Sequence, residues 1–554
     1  MIAPEIHESL SSSVETVRTP TRAKPAFFRT DGGRLALIAF IVYGLASIYL
    51  VFGLHYYASD AISRVANAYY VLFSRNPHLG AIGFVWNPLP SLLELPIVAL
   101  HPWIPVVVTR GLAGSAISVL LGAIAVYHLD HIIDRLGVSR VLRIVLTLSF
   151  MLDPLIVLYA ANGMSDVMWV ACILGTYSGL LDYIDTRSLH RLIAGALWLT
   201  AGFGMRYEAV PFGALLLFAL VVGRWGQATM AELRGSAILF GVPVVFTGGV
   251  WIYFNWAIMK NALYFLDSSY GNLAQTATGA YMTAAMIRAD HHVLGALLYV
   301  LHFGLFYWPI YPSFLIAAWF SFGKQRDPRA LILVCGTVGA ELLELALSYK
   351  GSLGQWDRYF LEFIPNGILL TAYATMKLRS RVQLPSRTIQ AMLGTVLCLV
   401  FLSGSVGTVA ALQVHELGQQ DGAVVDAAFR DQSMVNSSSL DPFSIDRQVI
   451  RYVDNHPHLT ILADSFTDGP VVVRVHHLNQ FVITSDYDFA SILHNPRGRI
   501  DAFLVPEPVG VATLNAISRA WPGIWAGKIP WTHLIKTFPD PNHYRLYAIL
   551  PTAP

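Results

Sequence analysis

Ionisable side chains stand inside or beside long apolar runs of this chain, and their placement is uneven. Arg110, Asp153, Asp166, Arg206, Glu208, Glu341, Glu344, Lys350, Asp357, Arg358 and Glu362 all fall within such runs or at their edges, and Asp60 follows the first run by a few residues. A charged side chain at mid-membrane costs about 2.5 to 3.5 kcal/mol on insertion scales, so such groups mark cavities, functional sites or paired structural charges. Glu341 and Glu344 are three apart and share one helical face. Single members have plainer roles. Arg110 can snorkel to headgroups, and Asp153, followed by Pro154, can accept hydrogen bonds from backbone groups freed at a kink. Asp60 can cap a helix, and the two glutamates can pair with basic neighbours. Those roles leave the one-sidedness unexplained, because nearly all of these groups sit at the same ends of the apolar runs. A polar cavity open to one face of a membrane accounts for it.

The elements that would position these groups follow from composition. Of 554 residues, 55% are hydrophobic, 12% aromatic and 13% charged, about half the roughly 25% charge of a soluble chain. Lys and Arg number 37 against 35 Asp and Glu, which excludes a strongly basic nucleic-acid binder and an acidic disordered tail. Cys172, Cys335 and Cys398 lie far apart in apolar runs, so neither a disulfide framework nor a CxxC metal site is available. A span needs about 20 apolar residues. About eleven segments qualify, near 34–54, 106–128, 140–162, 166–184, 190–206, 209–223, 236–258, 295–322, 329–348, 359–376 and 387–411. The first reads as a retained span rather than a cleaved signal peptide. The proline-broken segment 88–105 reads as a juxtamembrane helix.

Lys and Arg gather in alternate short loops, which puts the N-terminus in the cytoplasm and everything after 411 outside. The long connections 55–105 and 259–294 then share the outer face, where loops of that size suggest chemistry or binding. The expected organisation is a polar cytoplasmic tail over 1–33, a transmembrane domain over 34–411 with its first outer loop at 55–105, and a soluble extracytoplasmic α/β domain over 412–554. Strand-like runs in the last region are Thr460–Ala463, Phe481–Thr484, Ala502–Val505 and Tyr544–Ile549. Its Asp464, Asp468, Asp486 and Asp488 read as helix caps before metal ligands. The fold class is a polytopic α-helical membrane protein with juxtamembrane helices in the first outer loop and a small C-terminal α/β domain, placed in the plasma or inner membrane.

Asp60 after the first span, the following juxtamembrane helix and Trp86-Asn87-Pro88-Leu89-Pro90 resemble the first loop of the GT-C superfamily of integral-membrane glycosyltransferases. Within it, the chain resembles the protein mannosyltransferase and lipid A aminoarabinose transferase branch. The turn Asn162-Gly163-Met164-Ser165-Asp166 resembles the acidic turn after the third span, Arg206-Tyr207-Glu208-Ala209 a motif after the fifth, and Asp357-Arg358-Tyr359-Phe360 the Arg-Tyr segment opening a late helix. The resemblance covers roughly 34–411. Many members carry two adjacent acids in the first loop, whereas here Ser59 precedes Asp60. No cofactor is therefore assigned, and a divalent metal is an alternative that the missing acid disfavours.

The resemblance implies transfer of a sugar, with inversion, from a polyprenyl-phosphate carrier to a lipid, glycan or protein acceptor on the outer face. Its partners are then the lipid-linked sugar, the acceptor and membrane lipid, with no nucleic acid. An acceptor hydroxyl needs a base, while a phosphate leaving group needs charge stabilisation more than a proton. In that scheme Asp60 is the base and Asp166 a second acid that orients the acceptor or adjusts Asp60. Arg206, Lys350 and Arg358 hold the phosphate, Arg358 foremost, since guanidinium forks match its oxygens. Tyr57 and Trp86 stack on a sugar face, and Arg64, Glu208, Tyr349 and Tyr359 complete the substrate-binding set. A break at Trp308-Pro309-Ile310-Tyr311-Pro312 opens a groove for the isoprenoid tail or is a plain proline kink. Two other readings compete: a transporter or flippase of lipid-linked sugars, and a non-catalytic assembly subunit of the cell envelope.

Overall fold

The computed structural model describes residues 30–56, 58–279, 282–322, 326–354, 356–381, 404, 406–410, 424, 446–538 and 544–550. Thr30 opens the first helix by accepting from the amide of Gly33 at 3.0 Å. That helix, α1 (Asp31–Ile48), runs into a π-helical turn, Tyr49–Gly53. The first loop then forms α2 (Ser59–Phe73) and α3 (Leu89–Val98). Pro88 and Pro90 fit the start of α3, where N–H groups have no helical partner in any case. Ten residues rise only about 15 Å, half the thickness of a hydrocarbon core. The second apolar run begins later than residue 106: Val106–Thr109 forms a single turn, Gly111 turns left-handed at φ 68, and α4 (Leu112–Arg135) follows.

Beyond α4 come α5 (Arg140–Met151), α6 (Pro154–Ala161), α7 (Ser165–Thr186), α8 (Leu189–Met205), α9 (Ala209–Arg224) and α10 (Met230–Met259). Then follow α11 (Val293–Phe306), α12 (Ile310–Phe322), α13 (Pro328–Tyr349) and α14 (Phe363–Arg381). Among the described residues five helices are long and apolar enough to cross a membrane, or seven if each of two bent pairs is one span. The chain is thus a multi-pass membrane protein. The expected spans at 190–206 and 209–223 are helices of only 17 and 16 residues, about 25 Å long against a hydrocarbon core of about 30 Å. The expected span at 387–411 lies outside the described residues, save 404 and 406–410.

Both bends have local causes. Between α5 and α6 the chain turns by 56°, and Asp153 caps the new helix, accepting from the amides of Leu155 at 3.0 Å and Ile156 at 3.4 Å. Thr408 donates to its other oxygen at 3.1 Å, so this aspartate has the structural role its proline neighbour suggests. Between α11 and α12 the turn is 106°, far beyond a proline kink. Pro309 supplies no N–H there, and the buried Trp308 ring anchors the corner by donating from Nε1 to Thr371 Oγ1 at 3.2 Å.

The helices pack around α7, whose apolar stretch is wholly buried. Gly179 of α7 and Gly195 of α8 let two backbones touch: a Cβ at 179 would stand 2.5 Å from the Gly195 Cα. At helix ends remote from Asp60, three basic residues meet acids. Arg140 grips Asp31 at 2.7 and 2.8 Å, Arg135 donates to Asp182 at 2.8 Å, and Lys377 meets Asp327 at 2.6 Å.

The C-terminal part contains α15 (Asp446–Asp454), α16 (Ser465–Val472) and a five-stranded sheet: β1 (Ile461–Leu462), β2 (Phe481–Val482), β3 (Ala502–Pro506), β4 (Thr532–Phe538) and β5 (Tyr544–Ile549). The order is β2-β1-β3-β5-β4, with β1 parallel to both its neighbours and β5 antiparallel to both of its own. Four of these strands fall in the four runs read from sequence, whereas β4 does not. One apolar cluster joins this unit to the first loop: Val65, Ala68, Tyr69 and Tyr70 of α2 pack with Val449, Val471, Val472 and Leu546. Arg75, just past α2, pairs with Asp486 at 3.5 Å and with Asp488.

Candidate active site

Asp60 sits in the first turn of α2, but the residue preceding the helix is Ala58 and its carboxylate caps nothing. It faces the short helical turn Asp357–Phe360 instead, where Arg358 donates from Nη2 to Asp60 Oδ2 at 2.6 Å. The side chains are 30% and 13% exposed, so the pair stands at the wall of the helical core with Asp60 the more open partner. The Arg358 Nε lies 3.9 Å from Asp166 Oδ1. Asp166, buried in the first turn of α7, also takes Nη1 of Arg206. Arg206 closes α8 and donates from Nε to Glu208 at 2.6 Å before α9 begins. Acid and guanidinium alternate from residue 60 through 358, 166 and 206 to 208. The Tyr359 ring centre lies 5.1 Å from the Arg206 guanidinium and 5.5 Å from that of Arg358, within cation–π range of both.

Arg64 is one helical turn from Asp60 on the same face of α2. It lies 5.7 Å from the ring centre of Trp86, and its Nε and Nη1 are buried with no hydrogen-bond partner. Burial pulls this guanidinium below its usual value, against the pull of Asp60 and Asp166. Across the loop, Glu94 of α3 is fully buried with neither oxygen bonded, and burial pushes its carboxyl well above the usual range, partly offset by Arg64. Neither its place nor its state was legible in the motifs. The available signal was one acid amid Leu92, Leu93, Leu95 and Pro96. Asn87 holds the loop down by donating to the Phe203 carbonyl at 2.5 Å. Glu341 and Glu344 place two more buried carboxyls in the helical core, within electrostatic reach of Glu208 and Glu362.

Two expected members stay out. Tyr349 is 39% exposed and meets His291 edge-on, and Lys350 is exposed beside it. Residues on a helix step round by about 100°, so with Glu341, Glu344 and Ser348 on the buried face of α13, positions 349 and 350 turn outward. Tyr57 lies outside the described residues. No group of three His, Cys, Asp or Glu among the described residues could hold a metal ion. The cation that Asp60 meets is a guanidinium, so the donor set does not fit a divalent metal there.

No family model and no curated protein matches the chain. Among solved structures, ArnT from Cupriavidus metallidurans in the apo state matches at 12% identity over 93% of this chain and 97% of that one, with a TM-score of 0.55. The oligosaccharyltransferase AglB from Archaeoglobus fulgidus, in complex with an inhibitory peptide and a dolichol-phosphate, matches at 8% identity over 85% of this chain and 69% of that one, with a TM-score of 0.41. With nearly the whole of both chains aligned, this protein shares the overall fold of ArnT.

Proposed function

We propose that the protein is a glycosyltransferase that moves a sugar from a polyprenyl-phosphate carrier to an acceptor hydroxyl on the extracytoplasmic face, with inversion. The observation that carries this reading is the Asp60–Arg358 pair backed by Asp166 and Arg206. A base and two anion-holding guanidiniums thus meet at one point. The acceptor oxygen attacks the anomeric carbon while Asp60 takes its proton, and the bond from that carbon to the phosphate oxygen breaks on the opposite side. The carrier leaves as polyprenyl phosphate, its charge held by Arg358 and Arg206. Before the donor arrives, Arg358 occupies the Asp60 carboxylate. A donor phosphate competes for the same N–H groups and frees that carboxylate for the acceptor. Arg64, Trp86, Glu208 and Tyr359 line the approach, and Asp166 keeps both guanidiniums in place.

The test is Asp60→Asn in purified protein. Lipid-linked sugar should still bind, and transfer should fall by about 10² to 10⁴, the usual contribution of a general base. Transfer at the native rate would remove Asp60 from the chemistry. The donor sugar is identified by mass spectrometry of the lipid-linked species that accumulate when the protein is absent.

A further inference from the structure

Four glutamates, Glu208, Glu341, Glu344 and Glu362, are buried within electrostatic reach of one guanidinium, that of Arg206. Arg206 is already committed. Its Nε and Nη2 both go to Glu208 Oε1, the first at 2.6 Å, and its Nη1 goes to Asp166. Both oxygens of Glu341 and one each of Glu344 and Glu362 are buried with no hydrogen-bond partner. An unpaired carboxylate is among the costliest groups a core can hold, so a cluster of this kind must keep protons as well as charge.

The backbone decides which of these acids meets Glu208. Helices α9 and α13 run antiparallel and touch through a glycine of each: a Cβ at Gly223 would stand 3.2 Å from Pro328, and one at Gly339 only 2.8 Å from the Phe212 Cα. Positions 223 and 212 of α9 therefore lie level with 328 and 339 of α13. Carried on by about one more turn, that register sets Glu208, which opens α9, level with Glu344 near the end of α13. The two side chains are hydrogen-bonded, and two carboxyls can be so only through a proton. Glu208 already holds two N–H groups of a guanidinium, so it is the carboxylate of the pair and the proton belongs to Glu344. As an anion, Glu344 would be a third carboxylate around Arg206 and would repel Glu208. As an acid, it gives Glu208 a donor and adds no negative charge where the transferase scheme needs a phosphate held.

We infer that Glu344 is kept as a neutral acid that donates to Glu208, and that through Glu208 it is a positioning residue for Arg206. The positioning role rests on the transferase reading, whereas the shared proton does not. The proton is read by infrared difference spectroscopy of the purified protein in detergent near neutral pH, where Glu344→Gln should remove one protonated-carboxyl C=O band present in the native chain. Glutamine has the same length and an amide that donates to Glu208, so transfer by Glu344→Gln should stay within about threefold of native. Glu344→Leu has a similar volume and no donor, and its kcat should fall about tenfold or more, the order of one hydrogen bond to a charged group. Leucine at a buried acid position does not by itself weaken a fold, so the denaturation midpoint should not fall with kcat. If the leucine variant does not fold, the infrared band and the glutamine variant decide. Retention of the band in Glu344→Gln would overturn the inference, as would native kcat in Glu344→Leu or a loss in Glu344→Gln as large as that in Glu344→Leu. Should Asp60→Asn leave transfer intact, the transferase scheme falls, and the band with its loss in Glu344→Gln is untouched.

Discussion

Asp60 and Arg358 are 298 residues apart in the chain and 2.6 Å apart in space. Each is legible in sequence by a different route: Asp60 as an acid placed just past an apolar run, Arg358 as a cation before a late one. Their contact is not legible, because nothing local in either segment encodes the other. Glu94 escapes for the opposite reason. It belongs to a short apolar helix that sequence places along the membrane surface, where an acid reads as exposed, yet the fold buries it fully. Its chemistry yields a signed prediction. A carboxyl raised in the folded state holds its proton more tightly there than in the unfolded chain. Its contribution to stability is therefore complete below the unfolded range, about pH 4.3, and lost as pH climbs through the raised folded value. Glu94→Gln cannot ionise. Its melting temperature should match the native chain near pH 4 and exceed it at pH 8, and a gap independent of pH would contradict the buried neutral acid.

Among elements, those set by periodicity and capping are the readable ones. The helix after Asp60, the Asp153 cap and four of the five strands fall where sequence places them. β4 does not announce itself because His533, Leu534, Ile535 and Lys536 are exposed on an edge strand, which needs no alternating pattern. The right-angled corner at Trp308 is hidden too, since one proline predicts a bend but not its size, and the anchor at Thr371 comes from a distant helix. The α7–α8 contact depends on two missing side chains. Gly179→Ala should therefore destabilise the detergent-solubilised protein by about 1 to 3 kcal/mol, as overpacking does, read as a lower denaturation midpoint. An unchanged midpoint would show that the helices can part without loss.

For the whole molecule, α2 has two occupied faces. One presents Asp60 and Arg64 toward the helical core, and the other, with Val65, Tyr69 and Tyr70, is covered by the C-terminal unit. That covering is not readable from residues 59–73 alone, because nothing in that segment encodes its distant partner. Burying a carboxylate under Val471→Asp, at a fully buried position of α16, should release the cover. Hydrogen–deuterium exchange across 59–73 should then rise while α7 stays protected, and unchanged exchange would mean that the loop stands without it. The paired charges at the opposite ends of the helices teach a related lesson. Loop arginines count toward orientation, yet Arg135 and Arg140 also tie helices through Asp182 and Asp31, a use that counting loops does not reveal.

The covering of α2 also bears on how the protein is made. Ribosomes deliver the helix with Asp60 early, its guanidinium partner some three hundred residues later and the clamp that reaches Arg75 from residue 488 later still. A nascent chain already threaded into the bilayer therefore holds Asp60 without its cation, and α2 without its cover, until those later segments have emerged.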